Sequence, residues 1–221
     1  MKIKLILPLA LTLLLSACGY TEPGGEYMVT TLALGEEPTG YRVILQAVDI
    51  KKGEQNGLPD TFTVEGRGKD VDDALEDAER GFSKGVALGH LNLIVLSDKV
   101  RAAGIRQVLE VCKGREVNLS AALAVCKDEK ALLESGSPSA GTQLSSLIKQ
   151  NYKRQGYGGH TALYEISTAL LVNGGEFALP NIAEGPKVEG MLFYKEGQPQ
   201  TLLDEGQSRA YAERMKGGAV G

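Results

Sequence analysis

The order of segments predicts an α/β protein: a mixed β-sheet with packed helices, made of an N-terminal hairpin, a βαβαβ run and a second, smaller α+β region. Three observations carry that reading. Two β-rich runs, residues 28–34 and 41–50, are split by a Gly- and Pro-containing stretch, as in an antiparallel hairpin. The apolar period then switches to that of a helix over 70–82. After it come two nearly all-apolar runs, 91–96 and 117–126, of the kind found in strands covered on both faces.

The elements follow in chain order. Residues 51–60 are polar with two glycines and a proline and read as an exposed loop, and 61–65 as a third strand. In the helix over 70–82, Val71, Ala74, Leu75, Ala78 and Phe82 form one stripe, with Asp72 and Asp73 in the first turn, where the helix dipole favours negative charge. Asp98 is the expected N-cap of a second helix, striped by Ile105, Val108, Leu109 and Cys112 and closed by Gly114. A short helix is expected over 128–134. Alternating strands and helices in this order imply parallel pairing through right-handed crossovers. The Ser/Gly/Pro-rich stretch 135–141 reads as a linker, dividing an N-terminal α/β domain (18–134) from the second α+β region (142–216). In that region Leu144, Leu147, Ile148 and Tyr152 mark one helix, and Leu163, Ile166 and Leu170 another. Residues 188–194 and 200–203 form a hairpin. Asp204 with Gln207 three residues on opens a final helix in capping-box fashion.

The N-terminus follows a different logic. Lys2 and Lys4 precede an uncharged apolar run, residues 5–15, which is shorter than the roughly 20 residues a membrane-crossing helix needs. Leu15-Ser16-Ala17-Cys18 resembles the lipobox of bacterial lipoproteins, so residues 1–17 are expected to be a cleaved lipoprotein signal peptide and Cys18 the lipidation site. Gly19 to Gly25 reads as a tether. Two acyl chains, at ~0.8 kcal/mol per buried CH₂, would hold the protein on a membrane without spanning it. Without Lys2 and Lys4 the 24 basic residues fall to 22 against 28 acidic, a formal charge of −6. Such a surface attracts neither nucleic acid nor anionic headgroups, so the acyl chains must do the anchoring. The expected location is extracytoplasmic and membrane-anchored.

Catalytic and metal-binding patterns are missing. His90 and His160 stand seventy residues apart with no second ligand beside either, and read as loop or cap residues. Gly66-Arg67-Gly68 lacks the third glycine of a dinucleotide fingerprint and runs into Asp70, Asp72 and Asp73, which would repel a pyrophosphate; a tight strand-to-helix turn is the better reading. The acidic residues between 70 and 79 are spread around a helix, unlike a calcium loop. Cys112 and Cys126 fall on apolar stretches and are expected to be reduced core residues, with a bond between them the alternative. The reading is a non-enzyme without metal or cofactor.

Four stretches stand out, in this order: Tyr41-Arg42-Val43-Ile44-Leu45-Gln46; His90 leading the apolar run to Leu96 and on into Gly104-Ile105-Arg106-Gln107-Val108-Leu109; Ala178-Leu179-Pro180-Asn181-Ile182 with the strand 188–193 after it; and Leu203-Asp204-Glu205-Gly206-Gln207-Ser208-Arg209-Ala210. In that order they resemble the Ger(x)C family, the lipoprotein C subunit of spore nutrient-germinant receptors, the third being similar to the family's proline turn. Family members usually carry a tryptophan soon after the lipid cysteine, and this chain has none. They also continue into a further C-terminal domain, expected to be absent here. The resemblance implies a non-enzymatic interaction subunit acting in spore germination on the outer face of the spore inner membrane, with integral membrane receptor subunits as partners. It leaves the small-molecule germinant unspecified. The alternative is an extracytoplasmic small-molecule-binding lipoprotein of a transporter, and a surface hydrolase stands third.

Overall fold

The computed structural model describes residues 26–49, 60–134, 140–158, 161–172, 175–183, 187–196 and 198–217. Cys18, His160 and the expected leader lie outside them.

The chain opens with β1 (Tyr27–Glu37) and β2 (Gly40–Asp49), paired antiparallel from Met28↔Val48 to Glu37↔Gly40. The strands run further than the sequence suggests, because Gly35, Glu36 and Glu37 pair with Arg42, Tyr41 and Gly40 and leave only Pro38 and Thr39 as the turn. β3 (Asp60–Gly68) pairs with β2 over its whole length. Gly66-Arg67-Gly68 is therefore strand and not the expected turn. Its glycines serve packing: a Cβ on Gly66 would lie 2.1 Å from the Ala78 nitrogen, and one on Gly68 2.3 Å from that of Ala74. Only a bare backbone lets α1 (Val71–Arg80) lie this close on the strand. Asp70 caps α1, its carboxylate accepting from the Asp73 N–H at 2.9 Å, and the stripe of Val71, Ala74, Leu75 and Ala78 is buried as expected.

β4 (Val86–Ala87) and β5 (Leu93–Ser97) both run parallel to β1, separated by a 3₁₀ turn over Leu88–His90. Next comes α2 (Ala102–Gly114), whose N-cap is Arg101 and not Asp98. Two tertiary contacts move the start. The Asp98 N–H donates to the Cys126 carbonyl at 2.8 Å, holding Asp98 to the sheet, and the Glu36 carboxylate accepts from both the Arg101 N–H (3.1 Å) and its Nε (2.7 Å). β6 (Ala122–Cys126) is shorter than the apolar run 117–126, since Asn118 turns the chain by accepting from the Ala121 N–H on its carbonyl and the Ser120 N–H on its side chain. α3 (Glu129–Glu134) is capped by Asp128. α4 (Ala140–Gln155) already includes the last two residues of the expected linker. A Cβ on Gly141 would lie 1.6 Å from Thr31 Oγ1, so α4 starts directly against β1.

α5 (Leu163–Val172) is followed by β7 (Phe177–Ala183), a strand where the resemblance suggested a proline turn. Pro180 pairs with Met191 and stands at a register shift, where its missing N–H is tolerated. β8 (Lys187–Lys195), β9 (Gln198–Leu203) and α6 (Glu205–Gly217) complete the described chain. The capping box forms as read: Gln207 N–H to Asp204 Oδ1 at 2.8 Å, and Asp204 N–H to Gln207 Oε1 at 3.1 Å.

The nine strands among the described residues form one sheet, ordered β3-β2-β1-β5-β6-β7-β8-β9, with β4 beside β1. Its centre, β1-β5-β6-β7, is parallel, and antiparallel pairs flank it on both sides. The strands of the second α+β region thus continue the sheet of the first. Helices α1, α2 and α5 cover one face, around Leu34, Leu45, Ile94 and Leu123. On the other face α3, α4 and α6 lie over Ala33, Val95, Ala124 and Met191. This mixed, three-layer α/β architecture is the predicted fold class.

Candidate functional site: the chain-entry end of the sheet

The first described residues are fixed firmly. The Tyr27 N–H donates to the Gly85 carbonyl at 2.8 Å, and its hydroxyl lies 3.0 Å from Ser83 Oγ. The Tyr27 ring sits 4.7 Å from Phe62 and 5.5 Å from Phe82, centroid to centroid. Chain entry is thus pinned at the end of the sheet where the parallel strands begin.

The same end gathers several loops. Thr31, Leu93 and Ala122 stand level across β1, β5 and β6, so the residues just before them share one end. A cleft of about 400 Å³ opens there, lined by Glu26, His90, Arg115 and Glu116 among others. His90 is exposed at the end of the 3₁₀ turn. Leu119 and Tyr164 are both 54% exposed, and the Tyr164 N–H reaches the Leu119 carbonyl at 3.3 Å. A second, larger cleft of about 720 Å³ lies between α1 and α2, with Asp70, Asp72, Asp73 and Arg106 on its walls. Its aspartates are engaged: Asp70 caps α1, Arg115 bridges Asp72 (3.1 Å) and Glu79 (2.5 Å), and Lys69 pairs with Asp73 at 3.3 Å. Among the described residues no group of three or more His, Cys, Asp or Glu could hold a metal ion.

Cys112 and Cys126 are free and buried, and belong to the cores on opposite faces of the sheet. Burial pushes the Cys112 thiol up to about 11 and the Cys126 thiol to about 12, the latter helped by Glu129 and Asp128. Neither is a competent nucleophile at neutral pH.

Sequence reasoning missed a charge network on the α3 side of the β1–β3 flank. Glu129, 2% exposed, takes Arg42 Nη2 at 2.6 Å, while Arg42 Nη1 reaches Glu37 at 3.5 Å. Glu65 binds Arg67 at 2.5 Å and Lys130 at 2.9 Å. The Glu129 hydrogen bond raises the Arg42 pKa. Burial alone would raise the Glu65 carboxyl, but the Lys130 hydrogen bond with the Arg67, Lys130 and Arg42 charges brings it below its ordinary value. No local pattern marks these partners, because Arg42 and Glu129 are 87 residues apart.

No curated protein and no solved structure matches the chain. A family model does: that of the spore germination protein N-terminal domain, over residues 26–184, which begins at the first described residue and runs through β7. With most of its length inside that match and the Ger(x)C-like stretches in order, the chain belongs to the Ger(x)C family of spore germination proteins, of which it carries the N-terminal region.

Proposed function

We propose that this protein is a membrane-anchored, extracytoplasmic interaction subunit of a spore germinant-receptor assembly, lipidated at Cys18 and without catalytic activity of its own. The observation that carries the reading is the family match beginning at Glu26, eight residues after a lipobox cysteine. The described residues add support: no helix among them is long and apolar enough to cross a membrane, so a lipid at Cys18 is a means of attachment that the sequence supplies. Confinement to one leaflet raises the effective concentration of the domain beside integral membrane partners. The buried, high-pKa thiols and the salt-bridged cleft favour binding over chemistry.

The test is made on spore membranes. Mass spectrometry of the purified protein should find an N-terminal Cys18 carrying a diacylglyceryl group, and the solubilised protein should co-purify with polytopic receptor subunits. A bare Cys18 thiol sinks the anchoring, and a lipidated protein that co-purifies with no integral membrane subunit sinks the receptor role.

A further inference from the structure

We infer that the end of the sheet where β1, β5 and β6 begin rests on the lipid bilayer, with Leu119 and Tyr164 entering the headgroup boundary. The inference builds on the lipidation of Cys18 proposed above.

Reach is the first argument. Glu26 is eight residue steps from Cys18, and at ~3.5 Å per step these span no more than about 28 Å even fully extended. Since Tyr27 is clamped between Gly85, Phe62 and Phe82, Cys18, where the acyl chains attach, stays within that radius of this one end. The β1–β2 turn at Pro38 and Thr39 lies at the far end of an 11-residue strand, about 35 Å away at ~3.3 Å per residue.

The surface chemistry of this end is the second argument. Leu119 and Tyr164 are each about half exposed and are joined through a backbone hydrogen bond, which brings a leucine and an aromatic residue together at this end. A tyrosine has an apolar body and a polar tip, which suits the boundary between headgroups and acyl chains. Glu26 and Glu116 flank the cleft at this end, and the whole mature chain is acidic, so electrostatic attraction to anionic lipid supplies little. The acyl chains provide the affinity, and the Leu119–Tyr164 pair provides orientation. Leu171 and Val172 are also exposed, 80% and 72%, but nothing places them beside the anchor and they are no part of the inferred surface.

The absence of tryptophan from the sequence gives a clean test. The full lipidated protein carrying Tyr164→Trp, Leu119→Trp or Thr39→Trp is incorporated into phosphatidylcholine–phosphatidylglycerol vesicles that contain a shallow nitroxide-labelled lipid. An interfacial side chain sits within about 5–10 Å of the acyl boundary, so Tyr164→Trp and Leu119→Trp should shift to the blue and lose about half their emission. Thr39→Trp should keep its emission. Vesicle-bound, lipidated protein with all three reporters unquenched, or all three quenched alike, overturns the oriented contact and leaves the lipidation standing. A bare Cys18 by mass spectrometry overturns both.

Discussion

The two flanks of the sheet are built to different standards. On the β1–β3 side, α1 lies on bare glycine backbone, the rings of Phe62 and Phe82 pack around Tyr27, and a buried ion pair joins β2 to α3. On the opposite side β9 is largely exposed, with Leu202 54% open to solvent, and among the described side chains of α6, residues 205–215, only Ser208 is fully buried. The family match follows this division, since it covers the β1–β3 flank and the parallel centre and ends at residue 184, before β8, β9 and α6. The matched segment thus coincides with the densely interlocked part of the molecule. The remaining hairpin joins it through β8, whose fully buried Tyr194 stacks on Phe177 at 4.7 Å and donates to the Val100 carbonyl at 3.1 Å, whereas α6 docks on the outside of that hairpin, with Tyr211 meeting Phe193 at 5.7 Å.

The sharpest way to break this contrast is at Glu129. Its carboxylate is almost wholly buried against Gly35 and Arg42, so Glu129→Ala removes one member of a buried pair. Breaking such pairs costs about 3–5 kcal/mol. The low end, about 3 kcal/mol, is expected here because Arg42 keeps Glu37 at 3.5 Å and is 23% exposed. Replacing both members, Arg42→Met with Glu129→Leu, should restore most of that stability, since the desolvation cost of the charges disappears with them. Urea denaturation of the single and double variants checks this. A double variant as unstable as Glu129→Ala would show that the pair holds the flank by shape and not by charge.

What the sequence revealed depended on range. The helix stripe of α1 and the Asp204–Gln207 box are local, set by neighbours within one turn, and both appear where the residues place them. Asp98 also has the chemistry of a cap, yet its N–H is claimed by Cys126 on the next strand, and Glu36, 65 residues before Arg101, takes over the start of α2. Pro180 looks like a breaker, but it sits where β7 shifts register. The lower part of β6 is met there by residues 161–163, which bond to Ala121 and Leu123 in place of β7. The Arg42–Glu129 pair and the proximity of Leu119 to Tyr164 exist only once the sheet has brought distant segments together.

The lightly docked side should respond differently to a lost cap. Asp204→Ala removes the acceptor for the Gln207 N–H, a loss of about 1 kcal/mol. Because α6 shares so little buried surface with the sheet, the cost should fall on the helix itself. Amide exchange in 205–212 should quicken, while that of β5 and β6 stays as in the parent protein. Equal loss of protection in both places would mean that α6 unfolds only with the whole sheet, and the contrast between the flanks would fail.

The smallest expected effect separates the flanks by pH. Glu65 has its carboxyl held below the ordinary value, so its ionised form contributes stability that is complete above about pH 4.3 and is lost as the pH falls through the lower folded-state value. Glu65→Gln should therefore be less stable than the parent near neutrality, by up to about 1 kcal/mol, with the gap closing in acid. On the other flank Glu189 pairs with Lys187 at 2.8 Å, but the two side chains are 50% and 68% exposed and the pair is screened by water. Glu189→Gln should cost less stability near neutrality than Glu65→Gln does. Melting temperatures of both variants near neutrality, with Glu65→Gln measured again at pH 3, check this, and an equal loss for the two variants near neutrality would erase the electrostatic side of the comparison.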